Sequence, residues 1–393
     1  MKRTLCIATC VLALLSAAGS GVTAQRGGAP AFEVERLWPQ PFPASKAWIL
    51  GSVTGLAVDG QDRIWVVHRG LDSLQTNEKG PALEPWASSC CFAAPQVLAF
   101  DAAGKLVANW EPKTGSGYDW PANPSGIAVD DKGNVWIGSG LPTPSLAPPA
   151  GRGGRGAPAA AAAPPPPADA QVLKFSKDGK FLLQIGKAGK TEGSDSKTGF
   201  NRPGALAVDS AANELYVADG FGNHRIAVFD ANTGAFKRSW GAYGGTPSDA
   251  DAGPYDPNAA AAKQFRTLSC VKIAKDGMVY VCDRQNDRIQ VFDKSGKFLK
   301  EAVISKTTTG DGSVWDVAFS PDQRLLYVAD GHDKKVWILD RASLETVGSV
   351  GSGGRYPGQF YGVGSVAVDS KGNLYTGETY EGKRVQKFVA KGR

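Results

Sequence analysis

Histidine is scarce in this chain, and the common catalytic and cofactor-binding motifs are missing. Only three histidines occur in 393 residues, so a zinc site made of three imidazoles would need His68, His224 and His332 together. The sequence has no C-x-x-C or haem-attachment pattern, no G-x-S-x-G nucleophile elbow and no glycine-rich phosphate loop between a strand and a helix. Thiol-redox, c-type haem, serine-hydrolase and P-loop chemistry therefore lack their sequence signatures here.

A strong charge of either sign is also missing. The 44 basic and 38 acidic residues leave a formal net charge of +6. Residues 1–24 have the form of a secretory signal, with Lys2 and Arg3 before an apolar stretch that is too short for a membrane span. Its removal leaves a net charge of about +4, which is too mild to indicate nucleic-acid binding. We expect the mature chain, residues 25–393, to be a single domain in the periplasm or outside the cell, without a transmembrane anchor or a nucleic-acid partner.

Cysteine is sparse, and two of the six cysteines lie in the predicted signal. The four that remain are Cys90, Cys91, Cys270 and Cys282. Export permits disulfides. Cys270 and Cys282 lie nearly opposite each other on one predicted hairpin, so a bridge between them is possible. The adjacent Cys90 and Cys91 are expected to be less easily bridged.

The chain does contain one phrase repeated six times: an alternating apolar run, a turn rich in Asp, Gly and Asn, and a second run that usually carries an aromatic residue. The copies are GLAVDGQDRIWVVHRG (55–70), GIAVDDKGNVWIGSG (126–140), ALAVDSAANELYVADG (205–220), CVKIAKDGMVYVCDR (270–284), DVAFSPDQRLLYVADG (316–331) and SVAVDSKGNLYTGET (365–379). A third apolar run follows each copy. Alternation of period two with such turns predicts hairpins, and small sheets of this kind must cover one another. The sequence therefore predicts an all-β, six-bladed β-propeller.

An outer strand is predicted after each of the first five copies, but not after the sixth. The segment FEVERLW (32–38) resembles these outer strands, KLVANW (105–110) most closely. Pairing of this N-terminal strand with the last three strands removes the open seam of the ring. We therefore predict that the N-terminal strand closes the last blade.

Three segments lengthen the first repeats. Residues 141–170 form a low-complexity Pro/Ala/Gly insert, which we expect to be a passive disordered linker. Residues 71–95 and 242–263 are longer loops, and they are interpreted either as lids or as tolerated surface growths.

The segments FNRPGALAVDSAANELYVADGFGNHRIAVFD (200–230) and 265–293 resemble NHL repeats. Over residues 51–390 the arrangement is also similar to the lyase domain of peptidylglycine amidating enzymes. Its most specific part is GSVTGLAVDGQDRIWVVHRG (51–70), which ends in the HRG that is a hallmark of that lyase. The resemblance implies an NHL-type propeller and points to peptidyl-α-hydroxyglycine α-amidating lyases.

The resemblance also implies which positions would carry that chemistry. In the family, three histidines from the second, fourth and last blades hold a zinc in the central pore, and the matching positions here are Ser125, Ser269 and Gly364. The acidic calcium-site residue corresponds to Ser365, and a catalytic tyrosine corresponds to Phe221. Two arginines carry over, at Arg69 and Arg284. None of the three matched positions supplies an imidazole, so we predict no metal site and infer that the zinc-dependent reaction is absent.

We expect one face of the propeller to collect the candidate ligand-binding residues, because loops that enter first strands and leave second strands share that face. The candidates are Arg69, Arg284, His68, Phe221, His332 and Glu378. Arg69 and Arg284 can grip a carboxylate or phosphate in a bidentate manner, or each can pair with a nearby acidic residue as scaffold. His332 can be a ligand or general base, or simply solvated, and His68 can orient Arg69.

Three function classes remain open from the sequence. The leading hypothesis is an exported relative of the amidating lyase that binds a small anionic or peptide-like ligand, or a protein partner, at the pore mouth. The first alternative is an active lyase or hydrolase with a rearranged metal site. The second is a protein-interaction scaffold. No cofactor is predicted, and zinc or calcium would be possible only with a rearranged site.

Overall fold

A computed structural model of the chain describes residues 28–113, 115–140, 168–250 and 252–391. Six four-stranded sheets contain almost all of its strands. Consecutive sheets contact one another through their first strands, and the sixth contacts the first, so the sheets form a closed ring. Within these described ranges the only helices are six 3-10 helices of three or four residues. The all-β, six-bladed propeller predicted from the repeats is confirmed.

The strands follow the chain in order round the ring. β1 (Phe32–Val34) and β2 (Trp48–Ile49) come first. Blade 1 has β3 (Val53–Val58) and β4 (Ile64–His68), then β5 (Phe92–Ala93) in a loop, then β6 (Val97–Phe100) and β7 (Leu106–Trp110). Blade 2 has β8 (Pro124–Val129), β9 (Val135–Ser139), β10 (Gln171–Phe175) and β11 (Phe181–Gly186). Blade 3 has β12 (Pro203–Asp209), β13 (Glu214–Asp219), β14 (Arg225–Asp230) and β15 (Phe236–Trp240).

The second half of the ring repeats the pattern. Blade 4 has β16 (Leu268–Ile273), β17 (Val279–Asp283), β18 (Arg288–Phe292) and β19 (Phe298–Val303). Blade 5 has β20 (Asp316–Phe319), β21 (Leu325–Asp330), β22 (Lys335–Asp340) and β23 (Thr346–Val350). Blade 6 has β24 (Val363–Val368), β25 (Leu374–Glu378) and β26 (Val385–Ala390). The 3-10 helices are Ala44–Lys46, Gly70–Ser73, Thr76–Glu78, Gly80–Ala82, Ala242–Gly244 and Arg284–Asn286.

The N-terminal strand closes the ring, as predicted. β1 is the fourth strand of blade 6, in the order β1-β26-β25-β24. It runs antiparallel to β26, with Glu33 opposite Val389. The backbone N–H of Glu35 donates to Lys387 O (2.8 Å), and the N–H of Lys391 donates to Ala31 O (2.9 Å). The last blade thus joins both ends of the described chain.

The hydrophobic core lies between neighbouring blades. Second strands are buried on both faces, and their aromatic residues contribute to the core. The recurrent turn acids behave as local acceptors: Asp59 Oδ1 accepts from the N–H groups of Gln61 (2.9 Å) and Arg63 (3.0 Å), and Asp130 and Asp369 do the same in their repeats. The recurrence of these residues is therefore explained by turn geometry.

Both cysteine pairs are bridged. Cys270 and Cys282 are opposite each other on β16 and β17 and form a disulfide, as the hairpin allowed. Cys90 and Cys91 also form a disulfide. The expectation that adjacency disfavours this second bridge was wrong, because adjacent residues can bring their sulfur atoms together when the Cα atoms approach to 3.0 Å.

Several predictions concern residues outside the described ranges or stay untested. The signal at 1–24 lies outside them, as does most of the 141–170 insert. Among the described residues, no helix has the length and apolarity that a membrane span requires. The 71–95 loop contains two of the 3-10 helices and most of a third, Gly70–Ser73, and its β5 pairs in parallel with β2. The side chain of Glu78 in this loop forms an ion pair with Lys383, so the loop links blade 1 to blade 6.

Candidate functional site

A β-bulge marks the start of the first strand in five of the six blades. The pairing register shifts between Val53 and Gly55 in blade 1, and equivalent shifts occur in blades 2, 3, 4 and 6. A bulge bends the strand and re-aims its side chains. The bulges surround a cavity of about 190 Å³ that residues of all six blades line. This cavity therefore lies on the axis of the ring.

Arg69 and Arg284 both line the cavity, and they come from opposite blades. Each directly follows a second strand, Arg69 in blade 1 and Arg284 in blade 4. Burial lowers the pKa of the Arg69 guanidinium to about 10, although Tyr380 and Asp169 partly oppose this effect. Burial likewise lowers the pKa of Arg284, against the influence of Asp311 and Tyr380. Two desolvated guanidinium groups thus share one cavity, an arrangement that an anion would stabilise.

Arg284 is held by aromatic rings and by one carboxylate. Its guanidinium carbon lies 4.4 Å from the ring centroid of Trp315 and 5.8 Å from that of Phe221. Its Nη2 lies 3.3 Å from Asp311 Oδ1. The Nε of Arg284 is buried and has no hydrogen-bond partner among the described residues. The side chain is therefore positioned by stacking while part of its donor capacity remains unused.

Asp311 is the acidic residue of the cavity mouth, and the sequence interpretation missed it. It reaches the axis from the loop between β19 and β20 and also accepts a hydrogen bond from the hydroxyl of Tyr380 (2.8 Å). Gly312 has φ +75°, and a Cβ there would lie 1.9 Å from Arg284 O, so only glycine lets this loop rest on blade 4. The glycines that flank Asp311 were the available signal.

Tyr380 connects the two arginines. Burial and its hydrogen bond to Asp311 raise the pKa of the phenol to about 12, so it is a neutral donor near pH 7. It interacts electrostatically with both Arg69 and Arg284. Its ring meets that of Trp315 edge to face, with 6.0 Å between centroids. The mouth is therefore a network of two cations, one carboxylate and aromatic walls.

Phe221 also lines the cavity. A Cβ built on Gly204 would lie 2.0 Å from the Phe221 ring, so the ring packs directly on the backbone of the blade 3 bulge. Phe221 and Tyr380 occupy the same repeat position, two residues after a second strand, in the opposite blades 3 and 6. The cavity therefore has the phenol of Tyr380 from blade 6, whereas blade 3 has a phenylalanine at the matching position.

His68 and Glu378 are not among the residues that line the cavity. Both are fully buried at the last position of a second strand, the position held elsewhere by Ser139, Asp219, Asp283 and Asp330. Nδ1 of His68 accepts from the N–H groups of Gly51 (3.1 Å) and Gly70 (3.0 Å), while Nε2 lies 2.9 Å from Pro95 O. Glu378 accepts from the N–H groups of Tyr361 (2.6 Å) and Gly362 (3.3 Å) and pairs with Arg384. These contacts hold the loops that lead into blade 1 and blade 6.

The other two histidines also lie away from the cavity lining. His332 is exposed, and its backbone N–H donates to Asp330 Oδ1 (3.0 Å). His224 is half-buried, and its backbone N–H donates to Ser194 Oγ (2.9 Å). Of the six predicted ligand-binding residues, the cavity brings together Arg69, Arg284 and Phe221.

An ion pair lies deeper in the channel, and the sequence interpretation did not find it. Nζ of Lys272 lies 3.4 Å from Asp316 Oδ1. Lys272 lines both the mouth cavity and a second cavity that opens at the other end of the axis. The signal was a departure from the repeat: the other five copies have alanine where Lys272 stands, and none has an acid where Asp316 stands.

The residues at the positions matched to the zinc histidines do not suit a zinc ion. Ser125 Oγ lies 3.3 Å from Gly204 O, and Ser269 Oγ donates to Val314 O (3.0 Å), while Gly364 has no side chain. In the part of the chain that the structure describes, no three His, Cys, Asp or Glu residues are grouped closely enough to hold a metal. Neutral hydroxyls that already donate to carbonyls are poor zinc ligands.

Comparison with known proteins agrees with this architecture. Residues 200–229 match the model of the NHL repeat. The chain is 27% identical over 290 residues to "Peptidyl-glycine alpha-amidating monooxygenase B" of Xenopus laevis, covering 72% of this chain but 27% of that protein. It is 30% identical over 183 residues to "NHL repeat-containing protein 3" of Homo sapiens, covering 46% of each. The chain thus spans about a quarter of the length of the amidating monooxygenases that it resembles.

A solved structure supports the fold alone. A structural genomics protein of unknown function from Bacteroides thetaiotaomicron superimposes with a TM-score of 0.52 at 15% sequence identity. The match covers 87% of this chain and 70% of that one. The chain therefore contains an NHL repeat in a six-bladed propeller and is similar to amidating monooxygenases over 72% of its length.

Proposed function

We propose that this propeller binds a small anionic or peptide-like ligand in the axial cavity through Arg69 and Arg284. The observation that carries the proposal is the convergence of two desolvated guanidinium groups from opposite blades on one cavity. Placing two like charges in one desolvated site is unfavourable unless an anion compensates them. Asp311 provides only part of this compensation: it lies within ion-pair distance of Arg284, but its side chain is 42% exposed to water.

The cavity walls suit an organic acid better than a bare inorganic ion. Phe221 and Trp315 provide apolar surface beside the guanidinium of Arg284. Tyr380 supplies a hydroxyl that interacts electrostatically with both arginines. Aromatic walls with a few converging polar groups are typical of sites for small organic ligands. An acyl-amino acid, or the carboxylate of a bound peptide, matches this combination.

Zinc-dependent amidating-lyase chemistry does not form part of the proposal. Ser125, Ser269 and Gly364 do not provide the three nitrogen ligands that the resemblance requires, and Phe221 has no ionisable oxygen. Turnover of a peptidyl α-hydroxyglycine that depends on added zinc and stops with a chelator would contradict this part.

The test uses hippurate, a benzoylglycine with one carboxylate, titrated against the purified chain by calorimetry. The double variant Arg69→Ala/Arg284→Ala is expected to weaken hippurate binding at least ~100-fold, because hydrogen bonds to a charged group each contribute about 1.5–3 kcal/mol. The matched control is Arg324→Ala, an exposed arginine in a turn of blade 5. Equal hippurate affinity in the double variant and the control, with both folded, would defeat the proposal.

A further inference from the structure

The Lys272–Asp316 ion pair is not required by the fold. Five repeats form the same first strand with alanine at the position of Lys272, namely Ala57, Ala128, Ala207, Ala318 and Ala367. The lysine at this position is partly buried, with 26% of its side chain exposed, and its ammonium lies at the channel beside Asp316. The ion pair is therefore a departure from the repeat that the strand itself does not demand.

Asp316 does not use up the hydrogen-bonding capacity of Lys272. Its Oδ1 already accepts from the N–H of Val317 (2.9 Å), and its Oδ2 accepts from the N–H of Val366 (3.0 Å). The 3.4 Å separation between Nζ and Oδ1 is longer than the usual 2.7–2.9 Å of a charge-assisted hydrogen bond. An ammonium has three donors, so at least two of them remain for a ligand.

The cavity offers unused hydrogen-bond donors at more than one depth. The cationic residues of the lining are Arg69, Arg284 and Lys272, while the acidic ones are Asp311 and Asp316. Both carboxylates already have donors as partners. The buried hydroxyl of Ser365, which also lines the cavity, has no hydrogen-bond partner among the described residues. Unused donors therefore lie at the mouth and in the depth of the cavity.

The two levels of donors are separated along the axis. Lys272 pairs with Tyr280, and Asp283, the residue before Arg284, lies three residues further along the strand of Tyr280. At 3.3 Å per residue this places the Cα atoms of Lys272 and Asp283 on levels roughly 10 Å apart along the channel, a gap that the lysine side chain shortens. A ligand that contacts both levels must carry its anionic groups at the two ends of a short chain.

We propose that Lys272 is a specificity-determining residue that binds a second anionic group, so that the ligand of the cavity is a dicarboxylic acid whose two carboxylates lie along the channel. This inference rests on the proposed function and names its ligand class. Arg69 and Arg284 bind the carboxylate at the mouth, and Lys272 with Ser365 binds the one in the depth.

The test compares adipate with hexanoate, which have six carbons each and differ in the second carboxylate. We expect the wild-type chain to bind adipate at least ~10-fold more tightly than hexanoate. Lys272→Ala should remove this preference without weakening hexanoate, and Lys272→Arg should keep part of it. The double variant Lys272→Ala/Asp316→Ser places at both positions residues that other repeats have there. It also removes the buried carboxylate that Lys272→Ala alone would leave without its ion-pair partner.

The outcomes separate this inference from the proposed function. An unchanged adipate-to-hexanoate ratio in Lys272→Ala, or an equal loss for both acids, would overturn the role of Lys272. Arg69→Ala/Arg284→Ala should weaken both acids. If it weakens neither while Lys272→Ala abolishes the preference, the proposed role of the arginines fails and that of Lys272 stands. Absence of saturable adipate binding in the wild-type chain overturns the inference.

Discussion

At the scale of single residues, one repeat position explains why several chemically active side chains are structural. The last residue of the second strand is His68, Asp219, Asp283, Asp330 or Glu378 in five of the blades. Each is fully buried and accepts backbone N–H groups of a neighbouring loop. The residue that follows this position faces the cavity where it is Arg69 or Arg284. Two residues adjacent in the chain thus have different roles: the first holds a loop, and the second lines the candidate site.

Burial makes His68 a pH-dependent element of stability. Desolvation lowers its pKa from 6.5 to about 4, so the folded state binds this proton less readily than the unfolded chain. The contribution of His68 to stability is therefore full above pH 6.5 and is lost as the pH falls towards 4. The loss amounts to roughly 3 kcal/mol at most.

His68→Asn keeps an acceptor for the two N–H groups but does not titrate in this range. We expect urea denaturation to show that the wild type loses more stability than His68→Asn between pH 7 and pH 4.5. Taking the difference between the two proteins cancels the other titrating groups, among them Asp287, whose pKa burial raises to about 6. Parallel stability curves for the two proteins would contradict the assigned role.

At the scale of elements, the two disulfides constrain different parts of the chain. In blade 4 a disulfide joins β16 to β17, whereas the equivalent positions of blade 3, Ala205 and Ala218, are simply apolar. The Cys90–Cys91 bridge, in contrast, lies within one loop and closes no length of chain. The two bridges therefore have different consequences for the unfolded state.

Removal of the two disulfides should affect stability unequally. Cys270→Ala/Cys282→Ala is expected to lower the free energy of unfolding by about 3 kcal/mol, because the bridge closes a 12-residue separation and alanine already fits these positions in blade 3. Cys90→Ala/Cys91→Ala should change it by less than ~1 kcal/mol. Urea denaturation under non-reducing conditions measures both, and equal effects would be inconsistent with this explanation.

At the scale of the whole molecule, ring closure assembles the cavity. Arg69 belongs to blade 1. Tyr380, which interacts electrostatically with Arg69, belongs to blade 6. Across this seam Ser52 Oγ donates to Tyr380 O (2.7 Å). The blade that carries Tyr380 is completed by β1, so the N-terminal strand supports the geometry of the site although it lies outside it.

A proline in β1 should loosen the closure. Because the N–H of Glu35 donates to Lys387 O and that of Lys391 donates to Ala31 O, the Glu33–Val389 pair between them is a hydrogen-bonded pair of the antiparallel ladder. Glu33→Pro removes its N–H and should lower Tm by about 3–8 °C.

The matched control is Glu33→Ala, which removes only the exposed ion pair with Lys391 and should leave Tm nearly unchanged. Differential scanning calorimetry distinguishes the two. A Tm for Glu33→Pro equal to that of Glu33→Ala would show that β1 does not hold the ring together.

The repeated phrases alone determined the six blades, their strand order and the closing strand, because alternation and turn chemistry are local properties and small sheets have few ways to cover one another. The same local pattern also placed Arg69, Arg284 and Phe221 at one end of the ring. Only the tertiary structure showed that His68 and Glu378 are occupied by backbone partners, that Asp311 enters from a loop, and that Lys272 and Asp316 meet in the channel. Such contacts join residues of different blades, and their distances depend on how the ring closes.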